Sequence, residues 1–380
     1  MDQARFIDTP EALEALCQAL EPCTWLALDT EFIREKTYYP KLCLIQVATL
    51  DQVVCIDPLA LDDLTPLTHL LRRPDLVKVF HAAAQDLEVL YCREGFIPTQ
   101  VYDTQVAAAL LGYGDQIGYA KMVQAVLGVS LEKGQSRTDW SRRPLDPEQL
   151  NYAADDVRYL ARAYPLIHDA LERNDRLSWL WEDSRNLFNP VTQSTCEMLW
   201  RRIRGIHTLR GSQLAIVKEL VCWREEEAMR TNQPRRWLLQ DEVILDLARR
   251  KPSNMARLSR TRGLQDTILR RYSQTLLELV QKGAQCPRDA WPSLPPLIQL
   301  SPAQEVLVDV AMGLLRYQAQ QHGISPAAIG NRRDVESLVA GQADCILLQG
   351  WRARLAGNTL QQWLQGQQAI RVESGQLHLD

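Results

Sequence analysis

A chain of 380 residues is too long for one ordinary hydrophobic core and is expected to form two or three domains. Its 46% hydrophobic and 24% charged residues are ordinary for a water-soluble protein, and no apolar run is long enough to span a membrane. The net charge of −4 hides an asymmetry: residues 1–200 carry 18 Lys and Arg against 30 Asp and Glu, whereas residues 201–300 carry 19 against 10.

The opening MDQARFIDTP lacks the basic-then-apolar layout of a secretory leader. WLALDTEF (25–32), LCLIQVATL (42–50) and VVCID (53–57) then read as strands, the last two divided by the turn-like Asp51-Gln52, and together they suggest a meander. LVKVFHA (76–82) is a further strand that runs into the helical AAQDLEVLYCRE (83–94). Helices are expected at DTQVAAALLG (103–112) and at 148–174, where Asp146 caps, Pro147 takes the first position and Glu148 sits in the first turn. A meander followed by strand–helix alternation predicts a mixed-sheet α/β domain over residues 1–190.

Beyond residue 190 the pattern is helical throughout. One all-α unit spans 209–288, with breaks at Asn232-Gln233-Pro234 and Lys251-Pro252-Ser253. The proline-rich CPRDAWPSLPPL (286–297) reads as a linker to a second all-α unit over 298–375. The two units share a rhythm of long and short helices, which suggests an internal duplication whose second copy has lost the positive charge. Nine scattered cysteines without a C-x-x-C pair read as small buried hydrophobes in a reducing compartment, which makes the cytoplasm the expected location. The basic stretch 201–300 suggests a polyanionic partner, although an Arg-rich solvated helical surface would look the same.

Asp29 and Glu31 lie two apart inside an apolar run, so in a strand their carboxylates share one face while Thr30 points away. Burying two acids there is costly unless a hard divalent cation compensates. A strand end whose acids reach solvent, or pair with Arg34 or Lys36, would leave the same pattern. Asp86 follows the strand LVKVF by a turn of helix, toward the usual binding edge of an α/β sheet. Tyr152 and Asp156 stand at i and i+4 on one helix face, with Asp155 rotated off it as a surface residue.

This order of motifs resembles the DEDDy 3′→5′ exonucleases. DTEFIREKTYYPKLCLIQVA, KVFHAAAQDLEVL, DWSRRPL and LNYAADDVRYL narrow the likeness to the ribonuclease D family, and residues 209–288 resemble the HRDC module, with a degenerate HRDC-like copy at 298–375. The resemblance implies a ribonuclease H-like exonuclease fold followed by two HRDC-like domains. It also implies that Asp29, Glu31, Asp86 and Asp156 bind two divalent cations, Mg²⁺ or Mn²⁺, about 4 Å apart. Tyr152 would be the family's tyrosine and orient the attacking water, since a phenol with a pKa near 10 is a poor base at neutral pH. The implied activity is 3′→5′ exoribonucleolytic release of nucleoside 5′-monophosphates, trimming 3′ ends of tRNA precursors and other structured RNAs. Nothing in the sequence demands more than a monomer, and no membrane partner is expected.

Around these five, Gln46 and His81 could contact the terminal nucleotide, though a satisfied core histidine is the favoured reading of His81. Arg137, Arg142 and Arg143 around Trp140 suit phosphate contact and base stacking; a loop whose tryptophan plugs the core would have the same composition. A DNA exonuclease on this scaffold, or a binding scaffold with structural carboxylates, are the competing functions. No HExxH, G-x-x-x-x-G-K or Ser/His/Asp signature supports a protease, NTPase or hydrolase of those classes.

Overall fold

The computed structural model describes residues 4–131, 138–185, 187–189, 196–295 and 298–379. The chain sorts into two compact units, one made of Met1–Glu31, Leu42–Leu187 and Leu297–Asp380, the other of Phe32–Lys41 and Phe188–Pro296.

In the first unit, β1 (Arg5–Ile7), β2 (Trp25–Ile33), β3 (Lys41–Ala48), β4 (Val53–Ile56), β5 (Val77–Phe80) and β6 (Val101–Asp103) form one sheet in the order β1-β4-β3-β2-β5-β6. β3 and β4 run antiparallel with Gln46 opposite Cys55, because the short turn at Asp51-Gln52 can only double the chain back. Helices α2 (Thr65–Arg72) and α3 (Ala84–Glu94) carry the chain across the sheet instead, so β2–β5 and β5–β6 are parallel. β1, parallel to β4, and β6 were not expected from sequence; three residues are too few to show a period.

Helix α1 (Pro10–Leu20) precedes β2, and α4 (Thr104–Leu110), α5 (Tyr119–Leu127), α6 (Pro147–Arg173) and α7 (Leu177–Ser184) complete this part. The start of α6 agrees with its sequence: Pro147 opens the helix, and the Asp146 backbone N–H donates to Gln149 Oε1 at 2.9 Å. Its buried face carries Val157, Leu160, Ile167 and Leu171, all below 2% exposure. Each such side chain contributes about 1.5–3 kcal/mol, so packing rather than helix propensity fixes where Tyr152 and Asp156 stand.

Residues 298–375, expected as a separate all-α unit, share a core with these helices. Ala311, Leu314, Leu315 and Trp351 pack in the same cluster as Leu160, Ile167 and Leu180. Trp351 stacks on Trp179 at 4.9 Å, Arg352 bonds Asp183 at 2.7 and 3.0 Å, and the buried Arg176 donates to the Leu110 carbonyl at 2.7 Å. Nor is the segment purely helical. It closes in a hairpin of Ile370–Glu373 and Gln376–Leu379, turned by Ser374 and Gly375 in left-handed conformations. The alternation of Ile370, Val372, Leu377 and Leu379 around a Ser-Gly turn is the signal that the helical reading passed over.

The second unit packs the helices Ser212–Thr231, Asp241–Arg250 and Asp266–Ala284 around Val217, Leu220, Ile244 and Leu276. Gly283 permits the close crossing: a Cβ there would meet the Ile216 backbone at 2.6 Å. Asn232 and Lys251, both left-handed, end their helices at the two expected breaks. The segment Phe32–Lys41 belongs to this unit, with Asn232 Oδ1 accepting from the Tyr38 and Tyr39 N–H groups at 3.1 Å. Cys196 and Cys222 are paired as a disulfide, against the expectation of unpaired thiols; a sequence separation of 26 without a spacing motif gives no sequence signal. No helix among the described residues is long and apolar enough to cross a membrane.

Candidate active site

The period of β2 sends Asp29 and Glu31 to one face, where α6 brings Asp156. Carboxylate oxygens of these three residues all lie within 4.8 Å of one another. One turn earlier on α6, the Tyr152 hydroxyl neighbours the Asp156 carboxylate and interacts with it electrostatically, as the i, i+4 spacing allows. Asp155 points elsewhere and pairs with Arg158.

Asp86 stands outside the set of three, buried on the first turn of α3. Its Oδ1 accepts from the Thr30 N–H at 3.2 Å and the Thr30 hydroxyl at 2.6 Å. Thr30, expected only to face away, is therefore the residue that holds the fourth acid; a threonine between two acids was the available clue. Asp103 was also missed. Its carboxylate accepts from the Ala82, Ala83 and Gln105 N–H groups at 2.8–3.0 Å. It thereby caps α4 and fixes the turn, with Ala82 at φ 60°, that delivers Asp86.

Burial pushes all four acids up. Glu31 rises to about 9, and Asp86 and Asp156 rise to about 7, each chiefly by burial. Asp29 rises well above its ordinary range by burial and then by the charges of Asp86, Asp156 and Glu31. The Thr30 hydrogen bonds restrain Asp86, and the neighbouring Tyr152 hydroxyl restrains Asp156. Tyr152 is itself pushed above the ordinary phenol range, by burial first and Asp156 second. Oxygen donors crowded together with their charge uncompensated are the donor set a hard divalent cation fits.

Free carboxylates release their protons near pH 4, whereas Glu31, Asp86 and Asp156 retain theirs in the folded chain to about 7 or above, and Asp29 is raised in the same direction. Without a cation the folded chain binds the more protons in that window, so its stability falls as pH rises from about 4 toward 9. A bound cation takes the place of those protons, so its stabilisation should grow with pH. The melting-temperature gain from Mg²⁺ or Mn²⁺ is expected to be larger at pH 8 than at pH 5.5; equal gains would contradict a cation on these acids.

Residues 4–174 match the family model described as 3′-5′ exonuclease, and residues 213–280 match the HRDC domain. The chain is 35% identical to the ribonuclease D of Bartonella henselae, over 96% of this chain and 91% of that protein. It is 38% identical to that of Gluconacetobacter diazotrophicus, over 93% and 90%. The chain belongs to the ribonuclease D family. The crystal structure of Escherichia coli RNase D, an exoribonuclease involved in structured RNA processing, superposes with a TM-score of 0.86 at 32% identity, covering 96% of this chain and 99% of that one. Membership makes the chain a metal-dependent 3′→5′ exoribonuclease acting in RNA processing.

The outer residues expected around this ribonuclease D site divide unevenly. His81 has both ring nitrogens engaged, Nδ1 3.0 Å from Thr104 Oγ1 and Nε2 2.9 Å from the Ile117 carbonyl, and burial lowers its pKa. That is the satisfied core histidine. Gln46 is fully buried on β3, its amide without a partner among the described residues, so it offers no accessible group to a nucleotide. Trp140 is 2% exposed, the core plug rather than an open stacking face. Arg143 forks onto Asp57, with Nε–Oδ2 and Nη2–Oδ1 both at 2.6 Å, and is committed to the fold. Arg142 remains exposed. Arg137 lies outside the described residues.

Proposed function

We propose that Asp29, Glu31, Asp86 and Asp156 hold two divalent cations, Mg²⁺ or Mn²⁺, and that the chain trims the 3′ ends of tRNA precursors and other structured RNAs to nucleoside 5′-monophosphates. The observation that carries this reading is the convergence of Asp29, Glu31 and Asp156 within 4.8 Å, with Thr30 presenting Asp86 beside them. Bound there, divalent cations supply Lewis-acid stabilisation of the phosphate charge and acidify the attacking water. The chain's own residues set the geometry. Thr30 and Asp103 fix Asp86; Tyr152, its proton held by burial and by Asp156, orients the water rather than deprotonating it. Arg142, exposed beside the start of α6, suits a phosphate of the entering strand.

The excess of Lys and Arg in 201–300 supports assigning the grip on folded RNA to the first HRDC region. There a cavity of about 400 Å³ is lined by Trp237, Arg271, Gln233, Gln265 and Thr267. Trp237 is 49% exposed, a surface indole that can stack an unpaired base beside an arginine. Trp237→Ala with Arg271→Ala is expected to weaken binding of a structured RNA about tenfold or more and flatten its salt dependence by about one unit. Binding of a short 3′ oligomer should change little, and equal loss on both would place the grip elsewhere. Seven of the nine cysteines lie outside the Cys196–Cys222 disulfide, in keeping with a reducing cytoplasm, and the reading requires only a monomer.

Digestion of a tRNA carrying an extended 3′ tail, beside matched single-stranded DNA and with or without chelator, tests the substrate class. Shortening of the RNA tail that chelator abolishes is expected. Preference for the DNA would favour a proofreading type of exonuclease instead.

A further inference from the structure

The arginine that sequence reading assigned to phosphate is anchored in the protein, and what it anchors faces the tyrosine of the active site. Besides its fork onto Asp57, Arg143 donates from Nη2 to the Cys43 carbonyl at 2.6 Å and from Nη1 to the carbonyls of Trp140 and Arg142 at 2.8 Å. Asp57 directly follows β4 and is 3% exposed; the Arg143 hydrogen bonds and the backbone N–H groups of Leu59 and Ala60 hold its carboxyl below the usual range against the opposing effect of burial. The loop is thus fastened to one end of the antiparallel pair β3 and β4 inside the sheet. Its other side is fastened to α6: buried Gln149 donates to Thr138 Oγ1 at 2.9 Å and accepts from the Asp146 N–H. Between the two fastenings sits the buried indole of Trp140, its ring 6.2 Å from that of Tyr152 at an interplanar angle of 35°.

We infer that the Asp57–Arg143 pair, acting through Trp140, is a positioning device for Tyr152. The reading rests on the water-orienting role proposed for that tyrosine. Tyr152 is only half-buried, and at one end its hydroxyl neighbours the Asp156 carboxylate. The ring needs a wall to fix the other. Trp140 is that wall, and a planar, bidentate guanidinium–carboxylate pair is the rigid fastening such a wall requires. Lysine keeps the charge but not the fork, so Arg143→Lys isolates geometry from charge.

Turnover of a 3′-extended RNA by Asp57→Asn and Arg143→Lys, each alone and combined with Tyr152→Phe, tests the coupling. Each single variant is expected to lose about tenfold or more in kcat with KM nearly unchanged, the scale of a displaced reacting group. In the Tyr152→Phe background the same changes should cost less than about twofold. Trp140→Phe, which keeps an aromatic wall, should retain most of the rate that Trp140→Ala loses. A full loss in the Tyr152→Phe background would overturn the inference, and so would a rise in KM at constant kcat, which belongs to direct RNA contact.

A second readout does not depend on activity. With 3-fluorotyrosine in place of Tyr152, the ¹⁹F resonance is expected to shift or broaden in Asp57→Asn and Arg143→Lys while circular dichroism stays native. An unmoved resonance overturns the positioning role. A moved resonance together with an unchanged rate in Tyr152→Phe would instead leave the positioning intact and overturn the role proposed for the tyrosine.

Discussion

Asp29→Asn or Asp156→Asn is expected to lower 3′-end hydrolysis by about a thousandfold or more while leaving the fold and RNA binding nearly intact. Charge stabilisation by bound cations is worth several kcal/mol, and each 1.4 kcal/mol is about tenfold in rate. Asparagine keeps the shape of the ligand but removes the charge that holds the cation. Both positions belong to a cluster whose members raise one another's pKa or are raised by burial. Neutralising one therefore relieves repulsion, and the metal-free melting temperature should hold or rise. That sign separates loss of metal from loss of fold, since a damaged core would lower it. Full activity in either variant would contradict the metal assignment.

Tyr152→Phe is expected to slow turnover about a hundredfold, the scale of a mispositioned reacting group, with cation binding retained. Burial and Asp156 hold the phenol above its ordinary pKa, so its hydroxyl stays protonated across pH 6–9. The ratio of wild-type to variant rates should accordingly be flat over that window. A ratio climbing tenfold per pH unit would make the tyrosinate a base, and an unchanged rate would remove Tyr152 from the mechanism.

What could be read in advance was whatever depends on local period. The pair Asp29 and Glu31 shares a face because strands repeat every two residues, and Tyr152 and Asp156 share one because helices repeat every 3.6. The meander and the parallel additions were likewise legible, from the short Asp51-Gln52 turn and the helix after LVKVF. What escaped depends on partners distant in sequence. Nothing near Arg143 announces Asp57, 86 positions away, so an arginine beside a tryptophan looked like an RNA contact. Thr30 looked idle because its partner Asp86 is 56 positions on. His81 stayed ambiguous until Thr104 and Ile117 were seen at its two nitrogens. The C-terminal hairpin was within reach of local pattern, but a helical expectation carried past it.

The most direct measurement follows 3′-labelled, 3′-extended RNA through a single turnover with Mg²⁺ or Mn²⁺, with chelator, and with Asp156→Asn. Label is expected to leave first, as a nucleoside 5′-monophosphate, only in the wild-type chain with cation present. Internal cleavage, release of a 3′-phosphate, or equal release under chelator would contradict it.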